Sequence, residues 1–66
     1  MPYIHIDWIT QSSEKRDEVS KRVASAVNEV TGIALNDIWV VFKDVDADNW
    51  YVGDRSVAKI RAEAKK

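Results

Sequence analysis

The spacing of apolar residues along the chain changes from one segment to the next, and each change marks an element. From Pro2 to Ile9 apolar and polar residues alternate, placing Ile4, Ile6 and Trp8 on one face of a strand and Tyr3, His5 and Asp7 on the other. Pro2 can open such a strand because its first residue need not donate to the ladder. Thr10-Gln11-Ser12-Ser13 interrupts the alternation with polar residues. Ser12 or Ser13 can cap a following helix, and Glu14, Asp17 and Glu18 crowd its first turn, where the helix dipole favours negative charge. Val19, Val23, Ala26, Val27 and Val30 then recur at helical spacing, with Lys15, Arg16, Lys21, Arg22 and Glu29 mostly on the opposite side. Thr31-Gly32 stops this helix, predicted over roughly 13 to 31, since glycine is the usual residue just past a helix end.

Ile38 to Val45 is a nearly continuous β-rich apolar run, which suits a strand buried on both faces. The order strand, helix, strand argues for a parallel pair joined by a right-handed crossover. Asp44 to Asn49 is an acidic turn, and Trp50 to Val57 has the form of a short hairpin pivoting on Gly53-Asp54. The tail from Lys59 to Lys66 reads as a solvated, partly basic end. With no repeat or linker in view, residues 1–66 are expected to form a single α+β domain: a β-α-β unit with parallel strands plus a C-terminal β-hairpin. Two strands and one helix leave a sheet face uncovered, which asks for a partner.

Composition sharpens that request. A chain of 66 residues is marginal on its own, and its stability is usually supplemented by disulfides, a metal or oligomerisation. There is no cysteine, and His5 is the sole histidine, so disulfides, thiolate zinc sites and His-rich metal sites are all excluded. Three Trp, two Tyr and one Phe are a heavy aromatic load for so little interior, so some of that surface is expected to meet another chain. Ten Lys and Arg against eleven Asp and Glu leave no room for the basic face of a nucleic-acid binder. No apolar run approaches a membrane span, and the start of the chain has no secretion signal, so the expected location is the cytoplasm.

Three places invite a chemical reading. Asp44, Asp46 and Asp48 have the spacing that opens a calcium loop, but Asn49 stands where glycine is required and Arg55 where a bidentate Glu is required, which disposes of the idea. His5, alone among apolar neighbours, reads as a hydrogen-bonded packing residue, with nothing near it in sequence to complete a catalytic pair. Pro2 either simply opens the strand or has a second role. Initiator Met is generally removed before a residue as small as proline, which would leave a free secondary amine. Burial or a nearby cation lowers the pKa of such an amine toward neutrality, and an amine poised there is a competent general base.

The ordered set Pro2-Tyr3-Ile4-His5-Ile6, Ser12-Ser13-Glu14-Lys15-Arg16, Ile38-Trp39-Val40-Val41-Phe42 and Trp50-Tyr51-Val52-Gly53, followed by Ser56 to Arg61, resembles the tautomerase superfamily, in its short 4-oxalocrotonate tautomerase group. The resemblance covers nearly the whole chain. It implies dimers with a continuous four-stranded sheet, commonly three to a hexamer, and no cofactor. It also implies that Pro2 is the general base in keto–enol or double-bond isomerisation of a small unsaturated or keto acid. Trp50, before the hairpin, would then wall the pocket and help to desolvate Pro2.

The chain departs from that pattern at the arginines that bind substrate carboxylates. The group's Gly-Arg-Ser loop is here the shorter Thr10-Gln11-Ser12, with Gln11 at or beside the arginine position, and Trp39 matches a second arginine. Neutral side chains do not reproduce the geometry or field of a guanidinium, so weak or altered activity is expected. Three explanations stay open. Arg55, or else Arg61 or Arg16, supplies the cation. Alternatively the substrate is less charged and lies among Trp39, Trp50 and Trp8. In the third, the assembly is a hetero-hexamer in which another chain donates the arginines. Other readings are a hydratase or dehalogenase-type lyase, with Asp7 or Glu14 activating water, and a non-catalytic oligomeric binding protein.

Overall fold

β1 (Tyr3–Ile9) and β2 (Trp39–Val45) pair in parallel along their full length, from Tyr3 opposite Trp39 to Ile9 opposite Val45, in a computed structural model that describes residues 1–65. A parallel pair needs a crossover, and α1 (Ser13–Thr31) provides it. Of the two serines available, Ser12 is the cap: its hydroxyl accepts from the Lys15 backbone N–H at 3.2 Å. At the other end Gly32 takes φ 76° and donates its N–H to the Asn28 carbonyl at 2.8 Å, a left-handed closure that suits a residue without Cβ. Asn28 secures the exit by donating its side-chain amide to the Ile33 carbonyl at 2.7 Å.

The alternation of β1 holds. Ile4, Ile6 and Trp8 are half-buried, while Tyr3, His5 and Asp7 are exposed. Val40 and Phe42 of β2 are half-buried in the same manner, and Trp8 stacks on Phe42 with centroids 4.7 Å apart. β2 is not covered on both faces as its apolar run suggests: Trp39 remains 55% and Val41 40% exposed. The reason is layering, since α1 lies on one side of the sheet and, among the described residues, no element lies on the other. α1 also outruns the sheet. Nineteen residues of helix span about 28 Å and seven of strand about 23 Å. Val30, placed on the apolar side by its spacing, is accordingly 86% exposed. Ile38, just before β2, is the buried apolar residue of the described chain, at 8% exposure.

Beyond β2 the chain forms an arm. A 3-10 turn (Ala47–Asn49) occupies the acidic segment, and the expected hairpin is made by β3 (Tyr51–Val52) and β4 (Arg55–Ser56), turning on Gly53 at φ 66°. The tail expected to be a solvated end is exposed over 61–65, and most of it is also helical, as α2 (Val57–Ala64), capped by the Ser56 hydroxyl, which accepts from the Lys59 N–H at 3.2 Å. Lys66, the last residue of that expected end, lies outside the described residues. Val57 N–H donates to the Trp50 carbonyl at 2.7 Å, closing the arm on itself. The result is elongated, 47 × 22 × 17 Å, with a radius of gyration of 15.6 Å against about 11 Å for a compact chain of this length. Its exposed area is 5175 Å², roughly a fifth above the ~4200 Å² of a compact monomer.

At Gly32 a Cβ would meet nothing within 4 Å, so a substitution there acts through the backbone alone. Gly32→Ala is expected to lower unfolding stability by about 1 kcal/mol and Gly32→Asn by less, as measured by urea denaturation.

Candidate active site

Three places share the residues that the sequence singles out. The first is the starting end of the sheet. Pro2 is half-buried, and its carbonyl accepts a hydrogen bond from the Trp39 backbone N–H at 3.0 Å, so strand pairing brings Pro2 and Trp39 together. Met1, Tyr3, Trp39 and Val41 line an open cavity of about 480 Å³ on the uncovered face. None of these four side chains carries a charge. Because Met1 lines the cavity and is bonded to the Pro2 nitrogen, loss of Met1 presents that nitrogen to the space the methionine leaves.

A row of polar side chains runs from this cavity along β1. The Tyr3 hydroxyl lies 3.2 Å from His5 Nδ1, and His5 Nε2 lies 2.6 Å from Asp7 Oδ1. His5 is thus hydrogen-bonded as expected, but it is exposed and not packed, and it has partners that its immediate neighbours in sequence do not suggest. Its partners sit two positions away on either side, which the period of a strand puts on the same face.

The second place is the finishing end of the sheet. Trp8, Gln11, Lys15, Glu18, Val19 and Arg22 line a groove of about 310 Å³ between the end of β1 and the first turns of α1. Arg22 Nε donates to Glu18 at 2.8 Å, and this bond, with the guanidinium charge, holds the Glu18 carboxyl below its ordinary range. Asp44 ties the end of β2 to this region, accepting from Trp8 Nε1 at 2.7 Å and from Arg16 at 3.2 Å. Gln11 is the expected site residue here. Lys15, Glu18, Val19 and Arg22 were not anticipated, because the groove arises from the angle between strand and helix and not from spacing along either.

The arm is the third. Trp50 is half-buried beneath the hairpin and α2, and Arg55 of β4 forms an ion pair with Glu63 of α2. Of the three arginines considered as replacements, Arg16 is therefore engaged by Asp44, Arg55 by Glu63, and Arg61 is exposed on α2. Gln11 follows the end of β1 that is remote from Pro2, about 20 Å along the sheet from Pro2 and Trp39, and the arm that carries Trp50 and Arg55 departs from the same remote end of β2. Among the described residues no group of three or more His, Asp or Glu side chains is arranged to hold a metal ion.

Asp44 serves two donors, and its substitutions separate them. Asp44→Asn keeps an acceptor for Trp8 and is expected to cost less than 0.5 kcal/mol, whereas Asp44→Ala removes both bonds and is expected to cost about 1 kcal/mol in urea unfolding.

Comparison with known proteins gives a consistent result. Residues 2–60 match the family model Tautomerase, described as tautomerase enzyme. TomN, a 4-oxalocrotonate tautomerase homologue in the tomaymycin biosynthetic pathway, is 26% identical with a TM-score of 0.84, over 92% of this chain and 95% of that one. The 4-oxalocrotonate tautomerase isozymes of Methylibium petroleiphilum give 27% identity and a TM-score of 0.81, over 89% and 97%. A heterohexamer 4-oxalocrotonate tautomerase from Chloroflexus aurantiacus, 22% identical with a TM-score of 0.81 over 92% and 100%, shares the fold. No curated protein sequence matches at a significant level.

Proposed function

The chain belongs to the tautomerase family, and on that premise we propose that Pro2, freed by removal of Met1, is the general base of an isomerase acting on a small unsaturated or keto acid. The observation that carries this reading is the position of Pro2, half-buried, joined to Trp39 by the Trp39 N–H at 3.0 Å, and bonded through its nitrogen to Met1, which lines the apolar cavity with Tyr3, Trp39 and Val41. An apolar surround disfavours the ammonium form of the proline amine, which lowers its pKa toward neutrality and leaves it able to take a proton from carbon. The same surround favours a substrate with a flat apolar part, seated against the Trp39 indole. A dicarboxylate suits it poorly, because no guanidinium stands at Trp39 or Gln11 to hold a second carboxylate.

The rest of the site comes, in this reading, from further copies. Gln11 lies about 20 Å along the sheet from Pro2 within one chain, and Trp50 follows the same remote end, so a neighbouring copy would bring its own to Pro2. Dimers joined through the sheet, and hexamers of such dimers, would also cover Trp39 and Val41. In a variant of this scheme a second kind of chain donates the arginines, and one relative of the same fold is itself a heterohexamer. A cytoplasmic site of action completes the proposal, and no helix among the described residues is long and apolar enough to cross a membrane.

Intact mass of natively produced protein is expected to lack Met1; retention would abolish every mechanism through Pro2, since an amide nitrogen has no basicity. With Met1 removed, Pro2→Ala is expected to slow ketonisation of an enolpyruvate by at least about 100-fold, followed by loss of the enol absorbance. Equal rates would exclude Pro2 as the base. Sedimentation equilibrium at micromolar protein is expected to give a dimer or hexamer, and a stable monomer would contradict the shared site.

A further inference from the structure

From the row Tyr3–His5–Asp7 we infer that Tyr3 is the second acid–base group of this site, exchanging a proton with the substrate oxygen, and that His5 and Asp7 are the positioning relay behind it. The inference rests on the reading of Pro2 as the base acting on carbon. Tyr3 contributes to two features at once: it lines one cavity with Met1, the residue bonded to the Pro2 nitrogen, and its hydroxyl heads the hydrogen-bonded row, 3.2 Å from His5 Nδ1. Asp7, 2.6 Å from Nε2, orients the ring by accepting the Nε2 proton. Nδ1 then has two states. Neutral, it accepts from the Tyr3 hydroxyl; protonated, it donates to the Tyr3 oxygen and frees the phenolic proton for a ligand, with Asp7 balancing the imidazolium. Strand register puts Trp39 opposite Tyr3, Val41 opposite His5 and Lys43 opposite Asp7. The titratable groups facing His5 are therefore Tyr3, Asp7 and Lys43, while α1 packs on the other side of the sheet.

The relay answers the question posed by the missing arginines, namely what receives charge on the substrate oxygen. In enolisation Pro2 takes the proton from carbon, and the C–H electron pair becomes the new C=C bond. The carbonyl π pair moves onto oxygen, which takes the Tyr3 proton. Tyr3 takes the proton from His5 Nδ1, and His5 is left neutral, keeping its Nε2 proton in a hydrogen bond to the Asp7 carboxylate. Three protons shift, with a net change of one onto Pro2 and one out of the relay, and ketonisation runs the same steps backward. Ketonisation thus starts from protonated Pro2 and neutral His5. Its rate is therefore expected to rise and then fall with increasing pH, the relay supplying the rising limb and Pro2 the falling one.

The test uses the full chain without Met1 and phenylenolpyruvate as probe, with kcat/KM measured across pH. Tyr3→Phe keeps the ring wall and is expected to lose about 100-fold, and His5→Gln and Asp7→Asn about 10-fold each. His5→Gln should also remove the rising limb of the profile, an effect that lost packing alone would not produce. If Pro2→Ala is inert while Tyr3→Phe turns over at the wild-type rate, the relay is overturned and the Pro2 reading stands. If Pro2→Ala matches wild type, both fall. Should Tyr3→Phe fail to assemble by sedimentation, His5→Gln decides: an unchanged rising limb overturns the relay, and its loss supports it.

Discussion

A two-stranded sheet covered by a helix on one side only is the constraint on which everything else in this chain depends. Burying a large apolar side chain contributes about 1.5–3 kcal/mol. Here Ile38 is the residue that reaches burial, while Trp39, Val41 and Tyr3 keep 40–59% of their surface in contact with solvent. The exposed face is graded along its length. Met1, Tyr3, Trp39 and Val41 make one end apolar, and Asp7 and Lys43 make the other charged. A face of that kind is poorly served by water and well served by a second protein surface, and the arm extending from the far end of the sheet adds more surface of the same sort.

Local structure was legible wherever a short-range rule decides it. The helix begins at Ser12 and ends at Gly32 because capping needs a hydroxyl at one end and a residue tolerant of positive φ at the other, and both signals are local. The first strand followed from its alternation and the hairpin from Gly53-Asp54. What failed depended on the layers. The apolar run of β2 suggested cover on both faces, yet only the assembly of elements decides how many faces are covered. Val30 obeyed the helical period but lies where the helix has outrun the sheet. α2 was missed although Ser56 is as good a cap as Ser12, because the charged residues after it masked the half-buried Val57, Ala58 and Ile60.

The site was legible in a different way. Residue type alone left Pro2 as a strand opener, and family resemblance gave it a possible chemistry; strand pairing then explains why it stands beside Trp39. The separation of Gln11 and Trp50 from Pro2 could not be read from spacing, because it follows from the parallel topology. In a parallel pair both strands start at one end of the sheet and finish at the other. Residues that open the two strands therefore meet, and residues that follow them are carried away together. The polar row of Tyr3, His5 and Asp7 lay in plain view as a period of two. Their hydrogen bonding is not legible there, because it depends on side-chain reach and rotamer and not on spacing.

A guanidinium and a proton relay stabilise an enolate in physically different ways. An arginine carries its charge at every relevant pH, so a site built on it can neutralise oxygen and a distant carboxylate together. A tyrosine backed by histidine works only while the two titrating ends of the site hold opposite protonation states, which confines it to the pH interval between them. It also acts on one oxygen at short range and has nothing to offer a second carboxylate. Replacing cations at Gln11 and Trp39 by such a relay would therefore narrow both the pH range and the charge of the substrate. That is the direction in which an uncharged cavity walled by Trp39, Tyr3 and Val41 already points.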